Sequence, residues 1–319
     1  MTSPHDPSDD QYRHPEDRPD FPSYPSTPHP QDNLGQSPYP YQGYAGYSAG
    51  YGADHGAGYG QPQQGTGRVS PVEAVSWAFR TVFRNWQIWL LGALVAGVLT
   101  VALSLIIDLA FGGASGGLAY QDGLAYQGTR LLFMILAQAL GIVIYAGALR
   151  QVDRAKITWG DFTRDINFGP AFGVAIVIQI ASGLLLAAVL LFFFIGGNDI
   201  VVSQMASQDE LLAALSSLFA ALGIVLLLAL LVAPLTMFMV WFALDRRTGF
   251  AGAFGAGFRA GARNYLPLLL FNLVAGLAST ILAVMTFGVA LIVLVPALLL
   301  AQAHMFRQAA EGPLPAQNI

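Results

Sequence analysis

Six apolar stretches, each about long enough to cross a lipid bilayer, fill the chain beyond residue 67 and constrain its fold more than any other feature. Inside hydrocarbon every backbone N–H and C=O needs a partner within the protein, so only helices or closed barrels can span. The stretches are continuously apolar and lack the alternation of a barrel strand, which makes them helices. They run over about residues 88–109, 131–149, 171–195, 211–244, 265–284 and 288–306. The fourth is longer than a bilayer requires and holds Pro234, a kink site. The block from Tyr265 to Phe306 is too long for one helix, and we divide it near Met285–Gly288.

Charge sets the expected orientation. Arg68, Arg80 and Arg84 precede the first span. Arg150, Arg154, Lys156 and Arg164 lie between the second and third, and Arg246, Arg247, Arg259 and Arg263 between the fourth and fifth. Arg307 follows the sixth. The opposite loops carry Asp108, Asp122, Asp199, Asp209 and Glu210, with Arg130 as their one basic residue. Cationic loops stay in the cytoplasm, so both termini are expected there.

Residues 1–67 are a different material. They hold eight acidic and two basic groups, against eleven and thirteen in the rest of the chain. The overall charge of −4 therefore describes the tail. Its Pro-rich, acidic first half gives way to Tyr–Gly units around Tyr39, Tyr41, Tyr44, Tyr47, Tyr51 and Tyr59. Almost nothing aliphatic is present to offset the entropy of ordering, so the tail is expected to be disordered. Such a segment is either a solvated spacer or a source of weak multivalent contacts. His5, His14, His29 and His55 match no metal-ligand spacing. The chain has no cysteine, which excludes disulfides and thiolate chemistry. No basic patch suggests nucleic acid as a partner. Residues 310–319 form a short C-terminal tail.

The most specific signal is internal. Residues 74–98 and 253–277 align without gaps. Phe79–Arg80 matches Phe258–Arg259, and Arg84–Asn85–Trp86 matches Arg263–Asn264–Tyr265. A fainter copy places Trp159 before Asn167–Phe168, as Trp77 stands before Asn85, but lacks both arginines. Each copy precedes an out-and-back hairpin. The fold expected is thus an all-α membrane protein of about six transmembrane helices, built as two or three parallel hairpin repeats introduced by interfacial amphipathic helices.

The first surface helix opens on Ser70-Pro71-Val72-Glu73, which reads as a capping box. Val72, Val75, Phe79, Val82, Phe83 and Trp86 share helical spacing, with Arg80 and Arg84 on another face. An amphipathic helix of this kind lies in the interface, apolar side down. Arg80, Arg84, Arg259 and Arg263 are the candidates for lipid phosphate, with Trp86 and Tyr265 at headgroup depth. In the second copy Gly249, Ala253, Gly257 and Gly261 form a small-residue stripe beside Phe250, Phe254 and Phe258. That stripe allows close helix approach, either within the chain or to a second protomer.

No acid/base pair, metal spacing or phosphate loop emerges, and neither a catalytic residue nor a cofactor is expected. Gln138, Gln179 and Asn272 stand alone in their spans. Asp108 and His304 lie near span ends, away from the midplane where a proton-coupled carrier places its charge.

The Tyr/Gly/Pro/Gln-rich tail fused to an Arg-rich, Lys-poor body resembles actinobacterial proline- and glycine-rich transmembrane proteins. The repeated aromatic-Arg and Asn264-Tyr265-Leu266-Pro267-Leu268 elements are similar to bacterial multipass families named for the membrane domain of glycerophosphodiester phosphodiesterases. The resemblance implies a plasma-membrane location and little chemistry. Phosphodiesterase activity does not carry over, because the metal-binding catalytic domain has no counterpart here. The reading is a non-enzymatic membrane scaffold or interaction protein. Its partners would be the lipid bilayer, a second copy or other membrane proteins, and cytoplasmic partners of the tail. The alternative is a transporter or lipid-handling protein.

Overall fold

The computed structural model describes residues 63–112, 123–195 and 208–315. The tail through residue 62, the glycines at 113, 116 and 117, Asp122 and Asp199 lie outside them. Among the described residues the regular structure is helical, apart from an isolated bridge between Gln64 and Pro313. The order is α1 (Pro71–Arg84), α2 (Trp86–Gly112), α3 (Leu124–Asp153), a 3-10 turn (Trp159–Phe162), α4 (Phe168–Ile195), α5 (Gln208–Thr236), α6 (Met239–Leu244), α7 (Phe250–Arg263), α8 (Tyr265–Met285) and α9 (Leu291–Ala309). Six segments are long and apolar enough to span a bilayer: Trp86–Ala110, Leu124–Asp153, Phe168–Phe193, Leu211–Leu244, Tyr265–Met285 and Leu291–Ala309. The chain is an integral multi-pass membrane protein.

Two boundaries differ from expectation. The second span begins at Leu124 rather than near residue 131, because Arg130 is neutralised within its first turns by Asp108. The divided block breaks at Thr286–Ala290. There the Gly288 N–H reaches back to the Ala283 carbonyl at 2.7 Å with Gly288 at φ 87°, a glycine-stopped helix end. The Thr286 hydroxyl then accepts the Ala290 N–H at 2.9 Å and starts the next helix. Pro234 sits inside α5, and the span breaks just beyond it, between Thr236 and Met239.

The hairpins α2/α3, α4/α5–α6 and α8/α9 close into a ring. The first helix of each packs on the second helix of the one before: α4 on α3, α8 on α5, and α2 on α9. The segment introducing each hairpin follows the same rule, with the 3-10 turn on α3, α7 on α6, and α1 on α9. Three units therefore succeed one another around an axis along the spans. We call the end carrying α1 and α7 the base.

Packing is concentrated at that end. Phe238, Trp241, Leu300, Met305 and Phe306 are fully enclosed. The Phe306 ring lies 5.1 Å from Phe242 and 6.1 Å from Trp241, with Tyr145 4.6 Å from Trp241. Farther from the base the helices stand apart. Residues 97–101 of α2 and 179–188 of α4 are exposed on every side. Residues in water could not show so much apolar surface, and in a bilayer acyl chains cover it.

Candidate functional site at the base of the bundle

The two repeat copies share one local geometry. α1 and α7 are each 14 residues long and end at an asparagine, Asn85 (φ −111°, ψ 39°) or Asn264 (φ −115°, ψ 25°). The next spanning helix starts at the following residue, Trp86 or Tyr265. The third copy keeps only the junction: a 3-10 turn replaces the surface helix, and α4 begins directly after Asn167.

The asparagines latch the ring. Asn85 Nδ2 donates to the Ala155 carbonyl at 3.2 Å, on the segment leading into the second unit. Asn167 Nδ2 donates to the Ala243 carbonyl at 2.6 Å, in the last turn of α6, the far end of its own hairpin. Asn264 Nδ2 donates to Gly67 at 3.1 Å, on the segment leading into the first. The first and third asparagines thus hold the segments that lead into the second and first units, whereas Asn167 closes its own hairpin. Asn264 also accepts the Val69 N–H at 3.0 Å. The repeat alignment identified these asparagines; it gave no sign of their partners, because the acceptors are backbone carbonyls outside the matched residues.

α1 buries Ala74, Ala78, Thr81 and Val82 within the protein, while Val72 and Phe83 of the apolar face are 82% and 57% exposed. Ring closure brings α9 against α1, and the small residues admit it most closely. Ser70 makes no side-chain cap. Its N–H goes instead to Gln308 Oε1 at 2.8 Å, and Gln308 Nε2 reaches Glu73 at 3.3 Å. A side chain of α9 thus bridges the two positions of the expected capping box.

In α7 the small-residue stripe meets the chain's own α5 and α6. A Cβ at Gly257 would lie 2.7 Å from the Met239 backbone, and one at Gly261 2.2 Å from the Pro234 carbonyl oxygen. Ala253 is fully buried, whereas Gly249 is exposed just ahead of the helix.

The predicted lipid-facing residues divide. Arg80, Arg84 and Arg259 are exposed on their helices, and Trp86 is 48% exposed. Arg80 Nε donates to the Ser76 carbonyl at 3.2 Å. Arg263 instead meets Glu311 at 3.4 Å and the Thr66 carbonyl at 3.5 Å. The Tyr265 hydroxyl donates to the Leu231 carbonyl of α5 at 3.0 Å, so its polar tip is used within the protein.

The sequence did not reveal the charge hub. Arg307, with 5% of its side chain exposed, donates to Asp153 at 2.7 Å and to Asp245 at 2.8 Å. Arg247 joins Asp245 at 2.7 Å and also donates to the Ala310 carbonyl. The ends of α3, α6 and α9 therefore meet at one buried guanidinium. Beside it, Trp89 Nε1 donates to Gln151 at 3.0 Å, and Trp77 stacks 5.0 Å from His304. At the far end Arg130 ties Asp108 (2.7 Å) and the Tyr126 hydroxyl (3.0 Å), joining α2 to α3.

Both hub carboxylates are engaged by guanidinium groups. Among the described residues no cluster of His, Asp or Glu could hold a metal. A groove lies between Arg68, Val69, Ser70, Glu73 and Gln308 at the base. No protein-family model, curated protein or solved structure matches this chain.

Proposed function

We propose that the chain is a non-enzymatic scaffold of the plasma membrane, with both termini in the cytoplasm, whose body holds the N-terminal tail at a fixed point on its base. The observation that carries the reading is how the root of the tail is mounted. Gly65 donates to the Gly312 carbonyl at 2.9 Å, Gly67 to Gln308 at 3.0 Å, and Leu314 to Gln63 at 2.8 Å. A Cβ at Gly65 would lie 2.6 Å from the carbonyl oxygens of Arg307 and Gln308, so the root packs directly on the backbone at the end of α9. A mere spacer needs no such seat. A recruiting tail gains from it, because fixed attachment keeps weak contacts at high effective concentration.

The test is crosslinking and native co-purification of the full chain against one lacking residues 2–58, which leaves the root intact. Loss of partners or of self-association on deletion supports the reading; an unchanged partner set sinks it.

One observation favours a lipid-handling reading instead: the all-round exposure of residues 97–101 and 179–188, which opens the space between helices to hydrocarbon. The aromatic packing around Phe306 stands against a path through the base. Movement of a fluorescent phospholipid between leaflets of proteoliposomes, faster than in protein-free vesicles, would favour this second reading.

A further inference from the structure

The latch at Asn85 assembles something its two counterparts do not. Its 3.2 Å bond to the Ala155 carbonyl holds the end of α1 against the segment that follows α3. Arg84 directly precedes Asn85, and Lys156 directly follows Ala155. Two long cationic side chains therefore leave the surface from neighbouring backbone points, and both residues are exposed. At the Asn264 latch, by contrast, Arg263 is engaged with Glu311 and the Thr66 carbonyl. At the Asn167 latch, Arg246 donates to the Asp165 carbonyl. Arg154, two residues before Lys156, is drawn off by Asp161 at 3.0 Å.

Aromatic side chains fix the depth. Trp86 opens the spanning helix α2 and is 48% exposed. Trp159 is 60% exposed yet leans on α2, where a Cβ at Gly92 would lie 3.1 Å from its ring. Gly92 is about 9 Å along α2 from Trp86 at 1.5 Å per residue. Trp159 thus presents an open ring below the cation pair, at the level where tryptophans favour the boundary between headgroup and acyl chain. Cations at the surface with an exposed indole beneath them match a phospholipid in both charge and amphipathic order. Arginine and lysine serve the phosphate, and the indole packs on glycerol and upper chain.

We propose that the cleft between Arg84, Lys156, Trp86 and Trp159 is a binding site for an anionic glycerophospholipid of the leaflet at the base. The site is distinct from the tail and does not depend on the scaffold reading.

The experiment uses the full-length chain, delipidated in neutral detergent and titrated with phosphatidylglycerol or phosphatidylcholine while bound lipid is counted by native mass spectrometry. Wild-type protein retains phosphatidylglycerol in preference to phosphatidylcholine. The double variant Arg84→Gln/Lys156→Gln lowers its affinity for phosphatidylglycerol by about thirty-fold, from roughly 1 kcal/mol per cation. Arg84→Lys/Lys156→Arg restores most of it, which separates charge from folding. Trp159→Ala weakens both lipids, since the indole is indifferent to headgroup charge. The charge-matched control Arg164→Gln/Arg246→Gln leaves the preference intact. An equal loss in that control, or an unchanged preference in the double variant, overturns the site. Displacement of phosphatidylglycerol by soluble glycerol phosphate at matched concentration also overturns it, because the cleft would then be a general anion site.

Discussion

Replacing Asn264 by alanine removes a side chain that three stretches of backbone share. Its carboxamide accepts the Val69 N–H at 3.0 Å and donates to the carbonyls of Gly67 at 3.1 Å and Ala260 at 3.0 Å. The residue is 3% exposed, so water does not readily replace these bonds. An orphaned buried polar group costs about 1–3 kcal/mol, and Val69 and Gly67 both lose their partner. Asn264→Ala is therefore expected to cost about 3 kcal/mol. The matched residue in the first unit is a built-in comparison. Asn85 makes longer bonds to the carbonyls of Thr81 (3.4 Å) and Ala155 (3.2 Å) at a more open position, and Asn85→Ala is expected to cost about 1 kcal/mol. Thermal denaturation in detergent, read by retention of the monodisperse peak, should show a drop of about 6–12 °C for Asn264→Ala and about 2–4 °C for Asn85→Ala. Asn264→Asp keeps the acceptor for Val69 but sets a carboxylate oxygen against two carbonyls. It should be no more stable than alanine at neutral pH, and should recover in part when acid protonates it. If Asn85→Ala costs as much as Asn264→Ala, the latch reasoning is wrong.

Three further outcomes follow from contacts at the base. Gly261→Ala drives a Cβ to 2.2 Å from the Pro234 carbonyl and should cost about 2–3 kcal/mol, whereas Gly276→Ala, with nothing within 4 Å, should be neutral or slightly stabilising; melting of both variants decides this. Arg307→Met leaves Asp153 and Asp245 facing each other without the guanidinium they share, and should cost about 3–5 kcal/mol, with much of it recovered in Arg307→Met/Asp153→Leu; equal instability of the single and double variants would refute the hub. The Asp161 carboxyl is held below its usual range by the backbone N–H and hydroxyl of Thr158, with Arg154 adding attraction. A depressed folded value means its stabilisation is complete above the unfolded value of about 3.9 and is lost as pH falls through the lower folded value. Asp161→Asn should then lower the melting temperature by the same amount from pH 5 to pH 8, with the gap closing only below about pH 4.

Hydropathy and charge alone determined that this chain spans a membrane, how many times, and that α1 and α7 are versions of one element. Those properties are local: a span needs only continuous apolar length, and a junction such as Arg84-Asn85-Trp86 repeats because the same bend must be made twice. The turn at Gly288 was legible for the same reason, to within a few residues. Ring closure was not, because packing of α2 and α1 on α9 joins the two ends of the sequence. With it went the true inner face of α1, since whether Val82 or Val72 is covered depends on which helix arrives. The hub was hidden likewise. Arg307, Asp153 and Asp245 each look like an ordinary charge at the end of a span, and only convergence of three helix ends makes them one buried group. Tertiary structure also decided which arginines are engaged within the protein. Arg84 and Arg263 occupy matched positions, but Glu311 and Thr66 stand beside Arg263, while Lys156 stands beside the latch at Arg84. A repeat fixes the residue that a position carries; its neighbours across the ring determine what that residue can do.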